Sequence, residues 1–293
     1  MTNAEYDVIA LDVDGTLLNS KKQITPAVRE SLLKAQNQGK KVIIASGRHQ
    51  IGLRDISTTL QLDRFGGCLM AFNGGRIEDA ATGEVFYSAH FPREFIKPVC
   101  DTVKNTNLTV VTFKDDLVIM NDAVNNHSFI ESKILGLDYI QVDNFVKYVD
   151  FNINKLLLVG ESSVLDEYQN VLRQEYEGCF DVFKSCPILL EVMPHGINKG
   201  TCMQIVLDHM GLSRDRLIAC GDSYNDISMI SYAGLGVCMG NGEEDVKQIA
   251  DVIADTNNND GIAKIVHKYM LHVRKAQLRF SNNFLIFRHL RKC

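Results

Sequence analysis

The sequence predicts an α/β protein: a doubly wound parallel-sheet core that carries an inserted α+β unit. Three observations lead there. Over the first eighty residues, continuous apolar runs alternate with helical patterns, and the same alternation returns near the end of the chain. Between them lies a long stretch in which strand-like runs alternate apolar with polar positions. Strands apolar at consecutive positions require cover on both faces, which a parallel sheet with crossover helices supplies. Half-buried strands with separate helices read instead as α+β.

Taken in order, "DVIALDV" is the first short strand. "TPAVRESLLKAQNQG" follows as a helix, with Thr25 as N-cap, Pro26 at the first helical position and Gly39 at the stop. "KVIIASG" is a second buried strand, "HQIGLRDISTTLQL" a second helix, and "CLMAFNGG" a third strand running into a turn. Late in the chain "NKGTCMQIVLDHMG" is helical, capped by Asn198 and closed by Gly211. Then come the strand "RLIACGD", a helix from about Tyr224 to Tyr232, the strand "LGVCMG", a helix near Glu244, "ADVIADT" and the helix "DGIAKIVHKYML".

The middle holds "LTVVTFKDDLVIM", "VDFNINKLLLVG" and "CPILLEVM" as strands and "SSVLDEYQNVLRQEY" as a helix. The expected division is a discontinuous core of residues 1–80 and 191–270, an inserted unit of 81–190, and a basic tail of 271–293. No internal repeat or low-complexity stretch interrupts it.

Composition narrows the function classes. Of 293 residues, 45% are hydrophobic and 23% charged, the balance of a soluble globular protein. No uncharged apolar stretch approaches the ~20 residues of a membrane span. "MTNAEYDVIALD" lacks the basic start of a secretory signal, and cytoplasmic localisation is expected. Cys68, Cys220 and Cys238 sit in apolar runs as small buried residues, and no C-x-x-C pair suggests zinc or redox chemistry. The net charge of −5 is uneven: six of the 31 Lys and Arg lie after residue 270 with no acid, leaving 25 basic against 36 acidic residues before them. Such an acidic body argues against a nucleic-acid partner. The basic tail is assigned no role, and the oligomeric state stays open.

Ligands of an open parallel sheet gather at the carboxyl ends of its strands. The first strand ends at Asp12 and Asp14, the second at Ser46, Gly47 and Arg48, and the third at Asn73, Gly74 and Gly75. "LIAC" leads into Asp222, Asn225 and Asp226, and Lys199 lies in the first turn of the preceding helix. Taken alone, "DVDG" is also a common Asp-Gly turn. Four carboxylates, a hydroxyl, a lysine and two amides on one rim are more than turn chemistry. Carboxylate oxygens suit a hard cation such as Mg²⁺, while Ser46, Lys199 and glycine-rich turns suit a phosphate. One aspartate can then attack phosphorus, and a second can act as acid and base. His49 is a weak candidate, and His195 reads as exposed linker.

"DVDGTLL", "IIASGR", "INKG" and "GDSYND", in this order, resemble the four motifs of the haloacid dehalogenase superfamily, in its Cof-type branch with a type IIB cap. The resemblance covers Tyr6 to about Met270 and implies a Rossmann-like core. It implies a Mg²⁺-dependent phosphatase acting on a small phosphorylated metabolite, with sugar phosphates as the expected class and neither nucleic acid nor membrane as partner. By position, Asp12 is the implied nucleophile and a metal ligand, and Asp14 the acid/base with its main-chain carbonyl on the metal. Ser46, Gly47, Lys199 and Asn225 are implied to bind phosphate, and Asp222 and Asp226 to complete the metal side. Arg48 and Asn73 are further site candidates. A phosphomutase and a catalytically silent phosphometabolite-binding regulator are the competing readings. A dehalogenase is disfavoured, because a halide leaving group has no need of the acid that Asp14 supplies.

Overall fold

The computed structural model describes residues 6–271. The basic tail of 271–293, apart from Leu271, lies outside the described residues.

Fourteen strands fall into two sheets among the described residues. In chain order they are β1 (Val8–Leu11), β2 (Lys41–Ala45), β3 (Cys68–Ala71), β4 (Arg76–Asp79), β5 (Val85–Ser88), β6 (Thr109–Lys114) and β7 (Leu117–Asn121). They continue with β8 (Asp138–Val142), β9 (Leu156–Val159), β10 (Phe180–Cys186), β11 (Leu189–Pro194), β12 (Leu217–Gly221), β13 (Leu235–Cys238) and β14 (Val252–Ile253). The first sheet runs β14-β13-β12-β1-β2-β3-β4-β5 and is parallel from β14 to β3. Successive residues of β1 serve opposite faces. Ile9 and Leu11 pack with Val28 and Leu32 of the helix Pro26–Asn37 and with Ile262 and Val266 of the helix Gly261–Tyr269. Val8 and Ala10 pack with Met203 and Val206 of the helix Lys199–Met210 and with Met229 of the helix Ile227–Tyr232. Both faces are covered, so the strands carry no polar alternation.

The last two strands of this sheet depart from the expected pattern. β4 and β5 form an antiparallel hairpin on its edge. The Asp79 side chain accepts from the amides of Ala81 and Thr82 at 2.9 Å each, and Gly83 turns the chain at φ 72°. The half-polar pattern of "RIEDAATGEVFYS" belongs to an edge, not to an inserted unit. Sheet membership therefore changes after Ser88 and again after Pro194, a few residues beyond the expected junctions at 81 and 191.

The second sheet runs β10-β11-β9-β6-β7-β8, antiparallel except for β7 with β8. One face packs on Ile96 and Val99 of the helix Ile96–Val103 and on Leu165 and Leu172 of the helix Ser162–Glu175. The other face, including Phe113, Leu157 and Met193, shares a cluster with Phe72 and Leu53 of the first unit.

Thr25 and Asn198 cap their helices as expected, each accepting from an amide of the first turn. The single helix expected from His49 to Leu62 is instead a 3₁₀ turn (Gln50–Leu53) and two short helices, Arg54–Leu60 and Leu62–Phe65. Gln61 breaks it at φ 53°, a conformation that periodicity does not register. The helix expected from Tyr224 likewise starts as a 3₁₀ turn, Tyr224–Asp226, before Ile227–Tyr232.

Candidate active site

Register brings the site together. Leu11, the last residue of β1, stands beside Cys220 of β12 on one side and Ile44 of β2 on the other. Asp12 therefore leaves the sheet between the strand that delivers Asp222 and the strand that delivers Ser46. Its amide donates to the Cys220 carbonyl at 3.0 Å, which extends the pairing one residue past the strand.

Lys199 occupies the first helical position after its Asn198 cap, and its side chain is wholly buried. Its Nζ lies 2.6 Å from Asp12 Oδ1 and 2.6 Å from Asp226 Oδ1. Asp226 is also buried, and its Oδ2 accepts from the amides of Asp222 and Ser223 at 2.9 and 3.1 Å. Both Asp226 oxygens are thus occupied within the protein. Asp222 Oδ1 accepts from the Thr16 hydroxyl at 2.8 Å. Gly15 lies against this carboxylate at φ 85°, and a Cβ there would fall 2.2 Å from Asp222 Oδ2. Only glycine lets the Asp12–Asp14 turn come so close.

Electrostatics follow from the crowding. Burial, then the Asp226 charge, push the Asp12 carboxyl up to about 8 against the pull of Lys199. Burial likewise raises Asp222 to about 6, despite the Thr16 hydrogen bond. Burial alone would lower Lys199, but Asp12 and Asp226 outweigh it and raise its pKa. Three carboxylates share one ammonium, an excess of negative charge that a divalent cation would relieve. Ligand oxygens from Asp12, Asp222 and Asp226 lie within 4.8 Å of one another, and an all-oxygen donor set fits Mg²⁺. Asp12 and Asp222 would hold the ion, and Asp226 is placed to fix Lys199 and the turn that follows β12.

The side chain of Asp14 points elsewhere. Its Oδ2 accepts from Arg48 Nε at 2.8 Å, and its Oδ1 from Arg48 Nη2 and Lys22 Nζ at 2.7 Å each. Burial would raise its pKa, but these two cations overcome it and hold the carboxyl below its ordinary value.

Ser46 is buried, and its Oγ accepts from the Arg48 amide at 3.2 Å. The Asn73 amide donates to the Ser46 carbonyl at 2.8 Å, and Asn225 Nδ2 donates to Asn73 Oδ1 at 3.0 Å. Ser46, Asn73 and Asn225 thereby form one connected rim beside the Asp12–Lys199 pair. His49 lies buried against the rings of Phe72 and Phe113, where burial drives its pKa down to about 3. His195 is exposed and pairs with Asp181 at 2.9 Å. Sequence reasoning overlooked Thr16 and Lys22. Thr16 stood inside the quoted "DVDGTLL", whereas Lys22 reaches Asp14 from a turn residue at φ 58° that no pattern marks.

The family model for haloacid dehalogenase-like hydrolases matches residues 9–266. The 5-amino-6-(5-phospho-D-ribitylamino)uracil phosphatase of Bacillus subtilis is 29% identical over 276 residues, covering 92% of this chain and 98% of its own. A haloacid dehalogenase-like hydrolase from Bacteroides thetaiotaomicron superposes with a TM-score of 0.84 at 33% identity, covering 90% of this chain and 99% of that one. A structure described as a HAD subclass IIB sugar phosphatase superposes at 0.76 with 23% identity, covering 90% and 98%, a likeness of fold. Four strand ends, one buried lysine and a family match over nearly the whole described chain point one way: the protein belongs to the haloacid dehalogenase-like hydrolases and is a phosphatase of that family.

Proposed function

We propose that the protein hydrolyses small phosphomonoesters, sugar phosphates foremost, with Mg²⁺ and through an aspartyl-phosphate on Asp12. The observation that carries this reading is the Asp12–Lys199–Asp226 arrangement beside Asp222, buried at adjacent strand ends. Lys199 fixes the Asp12 carboxylate so that it meets phosphorus in one orientation. Asp12 oxygen bonds to phosphorus as the ester oxygen departs, and Asp14 gives that oxygen a proton. Asp14 then takes a proton from water, whose oxygen attacks phosphorus and frees Asp12 and inorganic phosphate. To serve both steps Asp14 has to let go of Arg48 and Lys22. Ser46, the Gly47 turn and Asn225 are assigned to the phosphoryl oxygens. A bound Mg²⁺ supplies positive charge against the packed carboxylates and the phosphate.

The second sheet is assigned the role of a cap. A cavity of about 820 Å³ between the units is lined by Asn73, Ser223 and Asn225 on one side and by Arg173, Asp181 and Lys184 on the other, with His195 at the junction. That is the size of a small-metabolite site, far too small for a folded protein. The Bacillus relative is named for a phosphoribityl substrate, which supports a polyol or sugar phosphate here. Cytoplasmic action is proposed as well, since the seven described cysteines are all free thiols. No described helix is long and apolar enough to cross a membrane.

The test is phosphate release from a panel of sugar phosphates, nucleotides and phosphoproteins, with and without Mg²⁺. Turnover of small sugar phosphates that chelator removes and Mg²⁺ restores is expected. Full activity in chelator, or phosphoprotein turnover matching the best metabolite, overturns the reading. Isomerised sugar phosphate without phosphate release would mark a mutase.

A further inference from the structure

A buried ion pair at the seam of the two units takes no part in the chemistry above. Lys155 and Glu191 are each 4% exposed, and Lys155 Nζ lies 2.7 Å from Glu191 Oε2. Both belong to the second unit, yet the ammonium faces the first. It sits over the ring of Phe72, 5.2 Å from its centroid, and 3.4 Å from the Gly47 carbonyl oxygen. The backbone of Lys155 is pinned in turn, because the buried Thr112 hydroxyl donates to its carbonyl at 2.8 Å.

A buried ion pair is commonly replaceable by apolar side chains of like volume without loss of stability. What apolar residues could not do is hold the Gly47 carbonyl. That carbonyl and the Arg48 N–H are two ends of one planar peptide group. Its N–H end donates to Ser46 Oγ at 3.2 Å. Fixing the oxygen end fixes the direction of the N–H, and so the lone pair that Ser46 spends on it. The serine O–H is then left to point elsewhere.

Asn154, the preceding residue, makes a parallel contact. Its Nδ2 reaches the Gly75 carbonyl at 2.9 Å, Ser88 Oγ at 3.0 Å and the Ala89 carbonyl at 2.8 Å. The dipeptide thus grips the turns after β2 and β3 together with the segment by which the chain leaves the first sheet.

We propose that Lys155 is a positioning residue: held by Glu191, it orients the Gly47–Arg48 peptide and through it the Ser46 hydroxyl for a phosphoryl group. This rests on the phosphatase reading above, in which Ser46 meets phosphate. The device ties the shape of the phosphate turn to the seating of the second unit.

The experiment is a double-mutant cycle between Lys155→Met/Glu191→Met and Ser46→Ala, read as the inhibition constant for orthovanadate and kcat/KM for p-nitrophenyl phosphate and a sugar phosphate. In the parent background, the paired substitution is expected to weaken vanadate and lower kcat/KM about tenfold for both substrates. In the Ser46→Ala background, where no serine remains to orient, the same substitution is expected to cost less than about twofold. A tenfold loss in both backgrounds, a loss under about twofold in the parent, or a loss confined to the sugar phosphate overturns the proposal. If this apolar pair does not fold, Lys155→Leu/Glu191→Leu, which likewise leaves no donor for the Gly47 carbonyl, takes its place with the same expectations. A parent enzyme that neither turns over p-nitrophenyl phosphate nor binds vanadate refutes the phosphatase reading instead.

Discussion

Lys199 Nζ stands 2.6 Å from Asp12 Oδ1, although 187 residues separate them in sequence, and neither side chain is open to solvent by more than a tenth. Burial and the neighbouring Asp226 charge make the Asp12 carboxylate costly, and the one shared ammonium offsets part of that cost.

Removing the ammonium is therefore expected to harm folding as well as chemistry. Lys199→Met leaves Asp12 and Asp226 buried without a counter-charge, a change that costs about 3–5 kcal/mol. Denaturant unfolding should show that loss, and phosphate release should fall to background.

Asp12→Asn separates the two roles. The amide keeps an oxygen for Lys199 and removes the charge that burial and then Asp226 disfavour, the two causes that lift Asp12 to about 8. Turnover is expected to vanish while the melting temperature equals or exceeds that of the parent. A clear drop in melting temperature would show that the carboxylate charge, not its reactivity, is what the fold needs.

Asp14→Asn is expected to lower the rate for sugar phosphates by about 10²–10⁴-fold, since alkoxide departure then lacks its proton. With p-nitrophenyl phosphate, whose leaving group needs little protonation, the first step should be far less affected. Burst kinetics on the two substrates will distinguish them.

Gly15→Ala places a methyl 2.2 Å from Asp222 Oδ2 at a positive φ. Displacement of Asp222 should raise the Mg²⁺ concentration needed for half-maximal activity more than tenfold, alongside a stability loss of more than about 1 kcal/mol. A Mg²⁺ titration paired with a melt separates the effects.

His49 gives stability a pH dependence. Its pKa is depressed to about 3 by burial, whereas the unfolded chain protonates near the ordinary 6.5. Below that value the unfolded state binds a proton the folded state refuses, so stability is full above 6.5 and falls as the pH drops towards 3. The slope approaches ~1.4 kcal/mol per pH unit from this residue. His49→Asn, which keeps an acceptor for the Ile51 amide, should flatten the melting-temperature curve between pH 6 and 4.5.

Position along strands carried much of this legibility. Asp12, Ser46 and Asp222 could be placed on one rim because each follows an apolar run, and a parallel sheet aligns such ends. Lys199 was legible through its cap, since Asn198 fixes where the helix begins. The side-chain direction of Asp14 was not, because Arg48 and Lys22 claim it from turns whose paths no periodicity describes. Nor was the burial of His49, which follows from Phe113 arriving from a different sheet. Lys155 lay inside the strand run "VDFNINKLLLVG" with nothing to single it out. Its partners Glu191 and Gly47 are 36 and 108 residues away, and only the assembled seam reveals them.

The place of β1 in its sheet has a consequence for synthesis. β1 is made first but lies between β2 and β12, so one of its edges stays unpaired until Leu217–Gly221 has emerged from the ribosome. All six strands of the second sheet, Thr109 to Pro194, are complete before that. The nascent chain therefore has the whole second sheet in hand first, while an apolar, open-edged half-sheet waits for its partner, a state prone to mispairing. Asp12, the proposed nucleophile, gains its β12 neighbour Cys220 only at that late stage.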